Sequence, residues 1–280
     1  MTTLTATLPQ TRAHVNPPDL IVALMTLASR RLALTVRTPR ELLVPLLTPI
    51  MFALVIAPAL KTALHAATSY ESFVAIGTIG LLIPLNTMFS GLSVLVDRES
   101  GAQRELLAAP VPRALLVLGN LAVALVVTAL QVLVLMGAAL LRGIEFDATA
   151  TGMIWFAIGA TLFAVTMYGV AEVLAASVPS PEEYISRLPA VAILPWFLAG
   201  SLFPITAMPF VLTNVARVLP LTHGLALMRY GLLGDRAGLH DIWGMTNATG
   251  MAALSLAVIA AFAVALTVIS IRVFGRAALR

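Results

Sequence analysis

Residues 96–120 read VDRESGAQRELLAAPVPRALLVLGN, and this stretch decides the fold. Asp97, Arg98, Glu99, Arg104, Glu105 and Arg113 fall within seventeen residues, between uncharged runs from Phe73 to Val96 and from Ala114 to Leu141. At 1.5 Å per residue each run can cross the ~30 Å hydrocarbon layer of a bilayer. A charge held at the bilayer midplane costs several kcal/mol, so the charged stretch must sit in water at one membrane face. Its pattern predicts a short amphipathic helix over Val96–Pro112, with Leu106 and Leu107 as an apolar edge and Pro110 and Pro112 as the stop. Gly101 permits a bend where the chain leaves the preceding span. A charged helix held at the membrane surface is predicted to be something a partner docks against.

The composition agrees with a membrane reading. The 280 residues are 60% apolar and 11% charged, with mean hydropathy +0.98. A soluble domain carries about 25% charged residues. Several uncharged runs near or above twenty residues predict an all-α, polytopic membrane protein. There is no cysteine, which excludes disulfides, thiolate metal sites and cysteine nucleophiles. The metalloprotease pattern HExxH is absent, and no metal or cofactor is expected on this chain. A phosphate-cradling loop needs Gly-Lys-Ser/Thr, but the single lysine, Lys61, follows Leu60, so a Walker-type ATPase is excluded.

Taken in order, residues 1–18, with Pro9, Arg12, Pro17 and Pro18, read as a disordered cytosolic tail. Residues 19–37 read as a helix lying in the interface. Asp19, Thr26, Arg30 and Arg37 share one face, Ile21, Leu24, Met25, Ala28 and Leu32 the opposite one, and Arg30 and Arg31 at its middle argue against a span. Six spans are predicted, at about 42–60, 73–96, 114–141, 152–178, 188–203 and 245–271. The fifth gives only about 24 Å before Pro204. Beyond it, Pro204 and Pro209 predict a broken, partly re-entrant segment within an external stretch 204–244, and Leu221–Leu233 predicts one helix packed on the outer mouth of the bundle. With the amino terminus inside, twelve basic residues lie on the cytosolic side and five outside. The net charge of +4 is thus topological, and no nucleic-acid partner is implied.

Polar residues inside spans are functional candidates. Glu172 is an ionisable residue well within the fourth span. It can serve the translocation path, or simply hydrogen-bond a neighbouring helix such as the one bearing Gln131. Asn120 and Gln131 share a face of the third span and suit bonding across helices. Gly91-Leu92-Ser93 resembles a serine elbow with His223 as base, but Ser93 lies near the cytoplasmic end of the second span while His223 lies outside.

DRESGAQRELLAAPVPR with LLVLGN resembles the signature of type-2 ABC exporter permeases. PWFLAGSLFPITAMPFVL at 195–212, VLPLTHGLALMR at 218–229 and VRTPRELLVPLLTPIMFALVI at 36–56 resemble the same family, most closely its daunorubicin-resistance-type and nodulation-factor-type members. The resemblance covers nearly all the chain beyond residue 20. It implies an interfacial helix, six spans, a cytoplasmic coupling helix and a re-entrant external hairpin between spans five and six. It also implies a bacterial inner-membrane location, a second permease subunit and a separate ATPase subunit that binds ATP and Mg²⁺. Carried over, Asp97, Arg98, Glu99, Gly101, Arg104, Glu105, Leu106 and Pro110 would form the coupling helix. Pro204, Pro209, Pro220 and His223 would shape the external gate. The function expected is outward transport of an amphipathic drug, lipid or glycolipid by a chain that is not itself an enzyme. A proton-coupled transporter or an intramembrane enzyme centred on Glu172 is the alternative.

Overall fold

A computed structural model describes residues 19–64, 69–108 and 111–277; the tail 1–18 and Pro110 fall outside it. All regular secondary structure among the described residues is helical. In order it runs α1 (Leu20–Arg37), α2 (Pro39–Met51), a π-helical stretch Phe52–Ile56, α3 (Ala57–Leu64), α4 (Ser69–Glu99), α5 (Ala102–Ala108), α6 (Arg113–Leu141) and α7 (Ala150–Ser177). Then follow α8 (Pro181–Leu188), a second π-helical stretch Pro189–Ile193, α9 (Leu194–Leu198), a 3₁₀ turn Ile205–Ala207, α10 (Phe210–Val218), α11 (Pro220–Leu233), α12 (Ala237–Trp243) and α13 (Ala248–Ala277).

Among the described residues four helices are long and apolar enough to cross a membrane: Tyr70–Glu99, Arg113–Leu141, Ala150–Ser177 and Ala248–Phe274. A fifth is formed if α10 and α11, which meet at a 79° bend, count as one broken span. The expected span 42–60 is helical throughout and 188–203 only as far as Leu198, and neither is regular. Each contains a π-helical stretch close to prolines (Pro49 and Pro58 in one, Pro189 and Pro195 in the other), whose missing N–H groups break the i→i−4 ladder. Pro84 sits inside α4 without ending it, and Thr87 donates its hydroxyl to the carbonyls of Ile83 and Pro84.

Helix α4 forms the centre, its face Ile76, Ile79, Leu82, Ile83 and Met88 being wholly enclosed. α7 packs beside it through Phe156, Phe163, Met167 and Ala171. α11 packs antiparallel to α7 at glycine contacts. A Cβ on Gly152 would collide with the Gly231 carbonyl, a Cβ on Gly231 with that of Gly152, and Gly224 lies against the Phe163 ring. This register places the start of α11 beside Phe163, about 16 Å down α7 from Gly152. α11 therefore does not lie across the bundle mouth as expected. It descends inside, and Leu221 to Met228 are all buried. The helix α1 packs on α6, with Leu27 against Gly119. Its Ile21 and Met25 remain exposed, as an interfacial apolar face requires, while Ala23 and Arg31 are buried.

Candidate functional site

The charged stretch is divided differently from its sequence pattern. Asp97, Arg98 and Glu99 are the last turn of α4, not part of a separate helix. The turn comes at Gly101, whose φ of +81° suits glycine, with nothing near its Cβ position; the residue serves backbone conformation rather than close approach. Only Arg104, Glu105 and Leu106 of the expected residues lie on α5.

The side chains then sort by direction. Asp97 faces inward and pairs with Arg31 of α1 at 3.5 Å. Arg98 also turns inward, donating to the carbonyls of Ala175 (3.4 Å), Val178 (2.9 Å) and Pro179 (3.0 Å). These belong to the end of α7, where the last carbonyls lack helical partners and the helix dipole is negative. α7 stops there because Val178 is extended ahead of Pro179, and Ser180 caps the next helix by accepting from the Glu183 N–H at 3.3 Å. Leu106 and Leu107, expected to face a partner, pack instead on the cluster of Leu116, Val117, Leu121, Tyr168 and Phe274. Glu99, Arg104 and Glu105 remain exposed.

Just inside this end lies a buried polar group that sequence reading only half anticipated. Glu172 is 4% exposed and accepts from the Tyr168 hydroxyl, one turn earlier on α7, which also lies 3.2 Å from the Val117 carbonyl of α6. Its partner is thus on its own helix, not on the one bearing Gln131. Asn120 reaches Tyr168, and Arg31 lies within electrostatic range of Glu172. Gln131 is buried about three turns beyond Asn120 on α6, near the level where Asn86 donates to Thr128. A cavity of about 20 Å³, room for one water, is lined by Arg98, Gln103 and Glu172 among others. Arg31 was missed because periodicity assigned the polar face of α1 to Asp19, Thr26, Arg30 and Arg37. Its i, i+4, i+8 spacing with Leu27 and Ala23 was the available signal.

The opposite end carries the proline-marked elements. Pro204 precedes the 3₁₀ turn, Pro209 caps α10 and Pro220 opens α11, so each prolyl ring begins a new helical piece. His223 is buried, with Nδ1 3.2 Å from the Ser255 hydroxyl and Nε2 3.0 Å from the Arg217 carbonyl. It ties α11 to α10 and α13. Ser93 donates to the Phe89 carbonyl at the other end, so the serine–histidine pairing is not formed.

Arg229, not anticipated as a site residue, organises this end. It is 4% exposed and donates to the carbonyls of Gly200 (2.8 Å), Ser201 (3.0 Å) and Phe73 (3.3 Å), with its guanidinium 3.3 Å over the Phe73 ring. Gly200, at φ +79°, makes the turn that presents two of these carbonyls. A cavity of about 40 Å³ beside it is lined by Thr222, Asp235 and Asp241. Burial raises the Asp241 carboxyl above its ordinary value, against the hydrogen bond from Thr206. Among the described residues no three acidic or histidine side chains gather as a metal would require.

A bundle of long apolar helices, closed at one end by a short charged helix and at the other by a broken hairpin turned inward, marks a multi-pass membrane protein. The family model of the ABC-2 type transporter matches residues 22–233, and the chain belongs to that family. Members typically work with an ATPase subunit. A search of curated proteins found no match.

Proposed function

We propose that this chain is the permease of an exporter that moves an amphipathic drug, lipid or glycolipid outward, using ATP hydrolysed on a separate subunit. In this reading the chain performs no chemistry, and ATP and Mg²⁺ bind the partner. Two permease subunits, alike or different, enclose the path in a bacterial inner membrane. Helices α2–α3 and α8–α9 act as the first and fifth of six spans, and α5 and both termini face the cytoplasm. In this reading the chain resembles the daunorubicin-resistance-type and nodulation-factor-type permeases.

One observation carries the coupling claim. Glu99, Arg104 and Glu105 face solvent together, while the residues around them are turned into the bundle. The carboxylate of Glu172 is already held by Tyr168 beside a cavity of about 20 Å³, which leaves little room for a substrate and weighs against the enzymatic reading. The test is Glu99→Arg. Reversing an exposed charge in an ATPase interface should cost about 2 kcal/mol or more of subunit affinity. We expect normal membrane insertion with loss of ATPase co-purification and of export; unchanged recovery and unchanged export would overturn the coupling role.

A further inference from the structure

Arg98 sits in the charged stretch, yet its guanidinium points away from the surface where an ATPase would dock. It holds three carbonyls at the end of α7. Asp97 beside it holds Arg31 of α1. Two charged residues in the last turn of α4 that could be free to bind a partner are therefore spent inside the molecule, on α1 and on the end of α7.

α7 is suited to pass a displacement on. It runs from Ala150 to Ser177 as one α-helix with no proline and no π-helical stretch, unlike α4, α2–α3 and α8–α9. Its far half meets α11 backbone to backbone at Gly152 and Gly231, with Leu227 against Gly159. Contacts without intervening side chains have no rotamers to absorb movement, so α11 must follow a shift of α7. From Ala175, at the Arg98 clamp, to Phe163, beside Gly224, is about 18 Å along the helix. α11 in turn carries Arg229 and Thr222, which line the cavity at the opposite end.

We propose that Arg98 is a positioning residue that couples the α5 turn to the inward hairpin through α7, so that movement of α5 is delivered to α10–α11 as an axial or rocking shift of one rigid helix. The proposal rests on the reading of α5 as the ATPase-facing element, but its first test does not.

The chain lacks cysteine, so Thr222→Cys introduces a single thiol at a buried hairpin position whose own hydroxyl has no hydrogen-bond partner. The rate of maleimide labelling of Cys at 222 in detergent-purified full-length permease reads the looseness of α11. In this background Arg98→Ala should raise the rate at least about fivefold, Arg98→Gln, which keeps a carbonyl donor, by less, and Arg187→Gln, a surface change nearby, not at all. Unchanged labelling in a folded Arg98→Ala or Arg98→Gln protein overturns the proposal. Failure of both variants to fold also overturns it, since Arg98 would then be a stability residue only. A second arm co-expresses the cognate ATPase. Normal ATPase recovery with uncoupled ATP hydrolysis in Arg98→Gln supports the relay, and lost recovery overturns it by placing Arg98 in the docking surface. If wild-type permease recovers no ATPase, the functional reading fails while the labelling result stands.

Discussion

The two ends of the bundle are each fastened by an arginine that donates to backbone carbonyls, and they differ in what surrounds the charge. Arg98 is half-buried at the end of a helix, where the carbonyls already carry unpaired lone pairs and the dipole favours a cation. Arg229 is enclosed, with three carbonyls and the face of Phe73 as its partners and, among the described residues, no carboxylate in salt-bridge contact. The first is an attachment that can be released into water. The second is a permanent part of the packing, because the Gly200 and Ser201 carbonyls it leaves behind would be stranded.

The largest effect therefore belongs to Arg229→Met, which keeps the volume and removes the donors. Each buried carbonyl left unpaired costs about 1–3 kcal/mol, so the change should destabilise the protein by about 3 kcal/mol or more. The thermal midpoint of purified permease measures it. A midpoint equal to that of Arg98→Ala would erase the distinction between the two ends.

Much of the framework was open to sequence reading. The apolar runs 73–96, 114–141, 152–178 (interrupted only by Glu172) and 245–271 correspond to α4, α6, α7 and α13, because a long apolar run has no competing way to satisfy its backbone. The segments at 42–60 and 188–203 resisted because their prolines and π-helical stretches break the regularity on which length arguments rest. Arg229 looked like one of several scattered external charges, since nothing in PLTHGLALMR shows that the helix is swallowed by its neighbours. The glycines held that information: Gly224 and Gly231 on α11 match Phe163 and Gly152 on α7, but a glycine pairing shows only when both helices are in place. Arg31 was hidden for a related reason. Amphipathicity separates polar from apolar faces, and Arg31 is a charge on the packed face.

The polar group behind Arg98 gives a middle-sized test. Tyr168→Phe leaves the Glu172 carboxylate buried without its hydroxyl donor and should cost about 1–3 kcal/mol. Glu172→Gln keeps a hydrogen-bonding acceptor, so it should lower stability little and leave ATP-driven export largely intact. Abolished export by a stable Glu172→Gln protein would shift the comparison toward a proton-coupled role at this end.

The smallest effect is expected at Asp97. Its partner Arg31 is buried, yet the pair is 3.5 Å apart and the aspartate side chain keeps 20% of its surface, so water still screens it. Arg31 also feels a second carboxylate, Glu172, deeper in the bundle. Asp97→Asn therefore leaves Arg31 with both an amide oxygen as acceptor and one remaining negative charge. The cost should be about 1 kcal/mol. The two carboxylates share one cation, so their removal should not be additive: Asp97→Asn with Glu172→Gln strands Arg31 with no counter-charge and should exceed the sum of the single changes by about 0.5 kcal/mol or more. Measured as a double-mutant cycle on thermal or denaturant stability, an additive result would mean that Arg31 answers to Asp97 alone. The strap from α1 would then end at the surface instead of reaching the buried group on α7.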